Sequence, residues 1–238
     1  MIALEKVDPS WGPILYKIKE EPLSTLFNKV LPNISYQPKV DNIFSALQMP
    51  VSSIKVVILG SGPYSSPMKS VGHAFLLSKY QKKSNTLLRI EEEILKSDPL
   101  NVNDSKEVDM YSWIDQGVLL LDTALTVETC EPGSHRVYWR DFIQHLISFI
   151  SYQKPCMWLF WGNYVREFLP YVGSHRIEMN QYDMETINEV PLNTTWNYIF
   201  TSDYPLMEPY EKSSFYNNNH FYFVNKMLAW QGKKTIIW

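Results

Sequence analysis

Four short apolar runs in this chain each end in residues able to bind or react. The first, KVVIL (55–59), leads into Gly60-Ser61-Gly62-Pro63-Tyr64-Ser65-Ser66-Pro67, a turn with hydroxyls and a phenol but no acid or base. A dinucleotide loop needs three spaced glycines opening a helix, and a phosphate loop needs Gly-Lys-Ser/Thr. Neither occurs, so no nucleotide cofactor is expected; the turn is either a rigid strand exit or a platform presenting Tyr64. The second run, GVLLL (117–121), ends on Asp122 and is followed by Gly133-Ser134-His135-Arg136. An acid in that place is either a solvated loop residue or an acceptor for a ligand's amino group. The third, CMWLFW (156–161), turns through Gly162-Asn163-Tyr164 into a helical pattern whose start could hold a phosphate on backbone N–H groups. The fourth, NYIFTS (197–202), opens into Asp203-Tyr204-Pro205-Leu206-Met207-Glu208-Pro209, a proline-braced loop with an apolar tip. Such a tip is either a packing contact or a wedge that enters a base stack.

These runs are rich in branched and aromatic residues and alternate with segments of helical periodicity at 86–96, 139–150, 164–172 and 214–230. That alternation predicts an α/β fold with a central four-stranded parallel sheet flanked by helices. In such sheets ligands gather at the carboxyl ends of the strands, which is where the four chemical turns lie. The polar stretch 101–109 reads as a loop, and Asn217, Asn218 and Asn219 as a turn or helix entry. With 238 residues, 45% of them hydrophobic, the chain can bury one substantial core, and a single domain over 1–238 is expected.

The net charge of −3 provides no global basic field, so DNA binding would need a local patch or neutral donors to phosphate. Cys130 and Cys156 lack metal-ligand spacing and read as reduced packing thiols, pointing to a cytoplasmic or nuclear, non-secreted protein. The opening MIALEKVDPSWGP lacks a basic stretch before an apolar one, and no apolar run reaches a membrane span; no membrane partner is expected.

KVVILGSGPYSSP, GHAF (72–75), SWIDQGVLLLDTALTV (112–127), SHRVYWRDFIQHLISFI (134–150), WLFWGNY (158–164) and GKKTIIW (232–238) together resemble the uracil-DNA glycosylase family, in the same order and with similar spacing. The resemblance runs from about Ser10 to Trp238. It implies a base pocket at the carboxyl edge of the sheet, DNA as partner, and no cofactor or metal. The family's first turn reads Gly-Gln-Asp-Pro-Tyr-His-Gly, and its water-orienting Asp falls at Gly62. Tyr64 keeps the place of the ring that blocks a 5-methyl group, and Phe75 that of the ring stacking on the extruded base. Gly62 and Ser65 would widen the pocket.

The family's uracil-reading Asn falls at Asp122. An ionised carboxylate accepts from an exocyclic amine and cannot donate to a carbonyl, which suits cytosine or a modified cytosine. The family's electrophilic His, in a His-Pro-Ser-Pro-Leu loop, is matched to Asp203, which would replace the missing acid if it turned toward the sugar. Ser134, His135, Gly162 and Asn163 fall at DNA-clamping turns, Leu206 is the candidate gap-filling wedge, and Lys79, Lys82 and Lys83 are possible phosphate contacts. Two functions follow: a DNA glycosylase of altered base specificity with Asp203 and Asp122 as catalytic acids, or an inactive homologue that binds DNA, with or without a protein partner, as a replication scaffold.

Overall fold

A computed structural model describes residues 4–67, 69–78, 81–98 and 108–238. Five strands form its central sheet: β1 (Val56–Gly60), β2 (Val118–Asp122), β3 (Met157–Trp161), β4 (Arg176–Glu178) and β5 (Asn197–Ser202). All pair in parallel, in the order β2-β1-β3-β5-β4. The expected four strands are all present. The fifth, β4, corrects the count: it is a three-residue edge strand on β5 whose sequence, Arg-Ile-Glu, has only one apolar side chain.

Side chains alternate across a strand, and both faces of this sheet are covered. Val57, Leu59, Leu119, Leu121, Trp158, Phe160 and Ile199 point to one side, where Trp139, Phe142, Ile143, Leu146 and Ile147 of α3 (Arg136–Gln153) meet them. The irregular segment before β1 joins this layer through Trp11, Leu26 and Phe44. Val56, Ile58, Leu120, Leu159, Trp161 and Phe200 point to the other side, against Ile90 and Ile94 of α1 (Asn85–Ser97), Trp113 of α2 (Met110–Asp115) and Phe221, Val224 and Leu228 of α5 (His220–Trp230). Strands buried on both faces explain why they read as continuous apolar runs.

Local chemistry sets the helix ends. Ser84 caps α1 by accepting from Leu87 N–H, and Asp109 caps α2 by accepting from Tyr111 N–H. The helix expected over 164–172 shortens to α4 (Asn163–Arg166) and a 3-10 turn at Leu169–Tyr171, with Pro170 denying the second turn an amide donor. The helix expected from 214 begins only at His220, because Asn217 and Asn219 take positive φ (57° and 56°) and break the chain there. Of the loop expected over 101–109, residues 101–107 lie outside the described residues, as does Lys79. Cys156 is buried, but Cys130 is exposed, which corrects its reading as a packing thiol. Among the described residues no helix is long and apolar enough to cross a membrane.

Asn197 locks the amino ends of two strands to α3. Its Oδ1 accepts from Cys156 N–H (3.1 Å) and Trp158 Nε1 (2.7 Å), and its Nδ2 donates to Ser151 O (3.3 Å), all in the interior. Asn197→Ala would strand three buried polar groups, at about 1–3 kcal/mol each. The substitution is expected to lower the free energy of urea unfolding by about 3 kcal/mol or more.

Candidate base pocket at the carboxyl edge of the sheet

The chain leaves β1 for β2 on one side and later crosses to β3 on the other, so the crevice above β1 is a topological switch point. A cavity of about 220 Å³ opens there, lined by the turn Gly60–Ser65 together with Phe75, Asp122, Pro132 and Tyr204. It has room for a single-ring base.

Asp122 is the acid of this cavity and is almost fully buried. Ladder register sets it opposite Gly60, and a Cβ on Gly60 would stand 2.4 Å from Asp122 Oδ1 and 2.7 Å from Ala74 Cβ. Thr123 fastens the same strand ends, with its N–H (2.9 Å) and Oγ1 (3.0 Å) both donating to Gly60 O. Asp122 Oδ1 then accepts from Gly62 N–H at 3.2 Å. Burial pushes the carboxyl up to about 7, the Gly62 bond opposing only in part. Near neutrality this acid is therefore an acceptor when ionised and a donor when protonated.

The first turn is held from outside the pocket. Arg136 Nε donates to Ser61 O (3.3 Å), and its guanidinium lies 3.8 Å from the centroid of the Tyr164 ring. The Ser61–Gly62 peptide is thus fixed at its carbonyl by Arg136 and at its N–H by Asp122. Gly62 sits at φ 140°, a conformation that strains any side chain, although a Cβ there would meet only Ala124 Cβ at 3.9 Å. Ser65 lines the cavity, and its carbonyl accepts from Cys130 N–H (3.0 Å).

Aromatic rings form the walls. Ser84 Oγ stands 2.8 Å from Tyr64 Oη, which donates to Phe75 O (3.3 Å); burial pushes the phenol up to about 12, so it stays neutral. Phe75 adopts φ 64° and packs on Trp161, with centroids 5.7 Å apart. A non-glycine residue in that region is unusual outside constrained sites. Tyr204 closes the cavity from the loop after β5, its hydroxyl 3.3 Å from Thr86 Oγ1. Its close approach needs Gly162, where a Cβ would stand 3.2 Å from Tyr204 Cβ.

Tyr64, Phe75, Gly62, Ser65 and Asp122 are therefore brought together as the sequence suggested. Asp203 is not with them. Its Oδ2 accepts from Ser214 N–H (2.8 Å) and Oγ (2.9 Å), bonds that hold its carboxyl below the usual range, and it does not line the cavity. The neighbouring Tyr204 stands there instead, one residue beyond Asp203 and directly before Pro205. Ser61, Pro132 and Arg136 were missed because turn contacts between distant segments leave no local pattern.

The expected DNA-clamping residues are dispersed in role. His135 is buried beside Thr126 (Nδ1 to Oγ1, 3.0 Å), and Trp139 Nε1 donates to the same oxygen (2.7 Å). Burial lowers its proton affinity, so the ring packs as a neutral group. Ser134 is exposed, its Oγ accepting from Glu128 N–H (2.8 Å), and Gly162 N–H is taken by Ser202 O (2.9 Å). Asn163 is exposed at the start of the four-residue α4, and Leu206 is exposed over Leu88 of α1, in a hollow separate from the pocket. Lys83 pairs with Glu91, and Lys82 is exposed.

Gly60→Ala would drive a methyl group into the Asp122 carboxyl and Ala74. It should cost about 1–3 kcal/mol as an overpacked site and remove the carboxyl's effect on ligand choice while the far-UV spectrum is kept. The raised Asp122 also makes stability depend on pH. The folded state keeps a proton that the unfolded chain, at 3.8, has released, so stability falls as pH rises from 3.8 to about 7 and stays low above. Asp122→Asn removes this penalty, at most on the order of 4 kcal/mol. It should raise the melting temperature more at pH 8 than at pH 5.

No protein-family profile matches the chain. Uracil-DNA glycosylase of Wolinella succinogenes is 29% identical over 245 residues, covering 98% of this chain and 94% of that protein. That of Campylobacter lari is 28% identical over 250 residues, covering 100% and 97%. The crystal structure of mimivirus uracil-DNA glycosylase superposes with a TM-score of 0.77 at 21% identity, over 100% of this chain and 89% of that one. Along its whole length the chain is therefore similar in sequence to uracil-DNA glycosylases, and it shares their fold.

Proposed function

We propose that this protein is a DNA N-glycosylase that draws an extruded pyrimidine into the pocket at β1 and β2, reads its 4-position with Asp122, and acts on cytosine-type bases. Glycosylase chemistry in general is supported by relatives named uracil-DNA glycosylase along the full chain. The observation carrying the altered specificity is Asp122 itself, a buried carboxyl in the cavity with Oδ1 committed to Gly62 N–H. Ionised, it accepts from the exocyclic amine of cytosine; protonated, it donates to the 4-carbonyl of uracil. Phe75 supplies the stacking face, and Tyr64, fixed by Ser84, bounds the space beside the 5-position. In the reaction the bond from C1′ to the base nitrogen breaks with its electron pair leaving on the base, and water adds to C1′ and gives up a proton.

A second reading, a base reader without excision, is favoured by one specific observation. Asp203 is tied to Ser214 and position 62 is a glycine, so Asp122 is the one carboxyl among the described residues that line the cavity. Groups acting on transition-state charge contribute about 10²–10³ each, and a site lacking them would bind a base better than it removes one.

Oligonucleotides with a single cytosine, 5-methylcytosine, 5-hydroxymethylcytosine or uracil, treated with alkali after incubation, distinguish these readings. Strand cleavage at the cytosine-type bases is the expected result. Preference should shift toward uracil as pH falls below about 7, and Asp122→Asn should shift it the same way by about tenfold or more, from the roughly 1–3 kcal/mol that a good base contact discriminates. Retention of base-dependent binding without cleavage assigns the reader, and efficient excision of uracil alone overturns the specificity.

A further inference from the structure

We propose that the amino-terminal pole of the sheet, opposite the base pocket, is a docking surface for an acidic, leucine- and phenylalanine-bearing segment of a partner protein. Four lysines meet there from three stretches of chain: Lys55 before β1, Lys154 before β3, and Lys233 and Lys234 after α5. Hydrogen bonds gather them. Lys55 Nζ donates to Lys234 O at 3.2 Å, Lys154 Nζ donates to Ser52 O, and Met157 N–H donates to Lys55 O at 3.1 Å. The Lys55 stem runs over Gly117, where a Cβ would stand 3.3 Å from its Cγ.

Lys55, Lys154 and Lys233 are only half-exposed, yet none of the four lysines pairs with a carboxylate among the described residues. Burial first, and then the neighbouring ammonium groups, lower the proton affinity of Lys55 and Lys233. A fold that gathers like charges and partly dries them loses stability, and the loss is recovered when a polyanion supplies the missing countercharge. A nucleic-acid backbone would meet the charge alone. The surface also carries Ile237 (45% exposed), three residues after Lys234 and tied to Gln116 beside Gly117. Cations beside an exposed apolar side chain match a peptide in which Asp and Glu alternate with large apolar side chains. A five-residue strand separates this pole from the pocket by about 16 Å, so a docked partner leaves the base site open.

The test uses the full chain and a fluorescein-labelled synthetic peptide of Asp and Glu interleaved with Leu and Phe, read by anisotropy. Expected is saturable binding that weakens with salt, falls tenfold or more in the double variant Lys55→Glu with Lys234→Glu, and falls in Ile237→Ser, while affinity for duplex DNA changes less than twofold. The neutral pair Lys55→Gln with Lys234→Gln should bind the peptide weakly yet melt at or above the wild-type temperature, which separates lost docking from lost folding. Absence of peptide binding, or binding indifferent to the charge reversal, overturns the proposal. So does a single-stranded oligonucleotide that loses affinity through the same reversal while the peptide does not, which would assign the pole to nucleic acid.

Discussion

Asp122 stands directly across the parallel ladder from Gly60, and the pocket is built outward from that pair. With no side chain at 60, the carboxyl folds into the space a Cβ would fill, where Thr123 fastens both strand ends and Gly62 N–H caps Oδ1. The capping amide fixes the Ser61–Gly62 peptide, whose carbonyl faces outward to Arg136, and Arg136 in turn rests on Tyr164 from α4. A contact across one ladder rung therefore sets the turn after β1, the approach of α3 and the start of α4.

The same chain of contacts joins two departures from the family pattern into one. In the resemblance an acid stands at position 62 and an amide at 122; here the acid stands at 122 and position 62 is bare. Gly62 at φ 140° allows the peptide orientation in which its N–H meets Asp122 Oδ1, an orientation that an aspartate at 62 would adopt only with strain. The bare position at 62 and the carboxyl at 122 support each other. Putting the acid back at 62 alone would strain the turn and set two carboxyls close together.

The strands could be read from the sequence because parallel strands covered on both faces must be apolar throughout, and all four such runs lie in the sheet. β4 escaped because an edge strand of three residues needs only Ile177 to pack. Asp122 was legible as the first polar residue after a buried run, and Tyr64 as the one ring in a small-residue turn. Asp203 misled because its chemistry is visible in the sequence but its partner is not: Ser214 lies eleven residues away and removes the carboxyl from the pocket. The His135 ring is drawn inward by Thr126 and Trp139, contacts set by the packing of α3 that leave no trace in the local sequence. Side-chain type was readable at each strand end, whereas side-chain direction depended on contacts between segments.

Charge is distributed along the sheet axis in a way that packing alone does not require. Among the described residues, a buried acid at the carboxyl edge lacks a cationic partner, and partly buried lysines at the amino edge lack carboxylates. Each arrangement costs stability through desolvation, and the lysines add mutual repulsion. Over one strand length the two ends are too far apart to neutralise each other through solvent, so neither can be explained as the counterion of the other. The aromatic layers on both faces of the sheet supply the stability that lets both persist. A site for a charged or hydrogen-bonding ligand keeps its own charge without a counter-charge until the ligand arrives, and among the described residues both ends of this sheet carry groups of that kind.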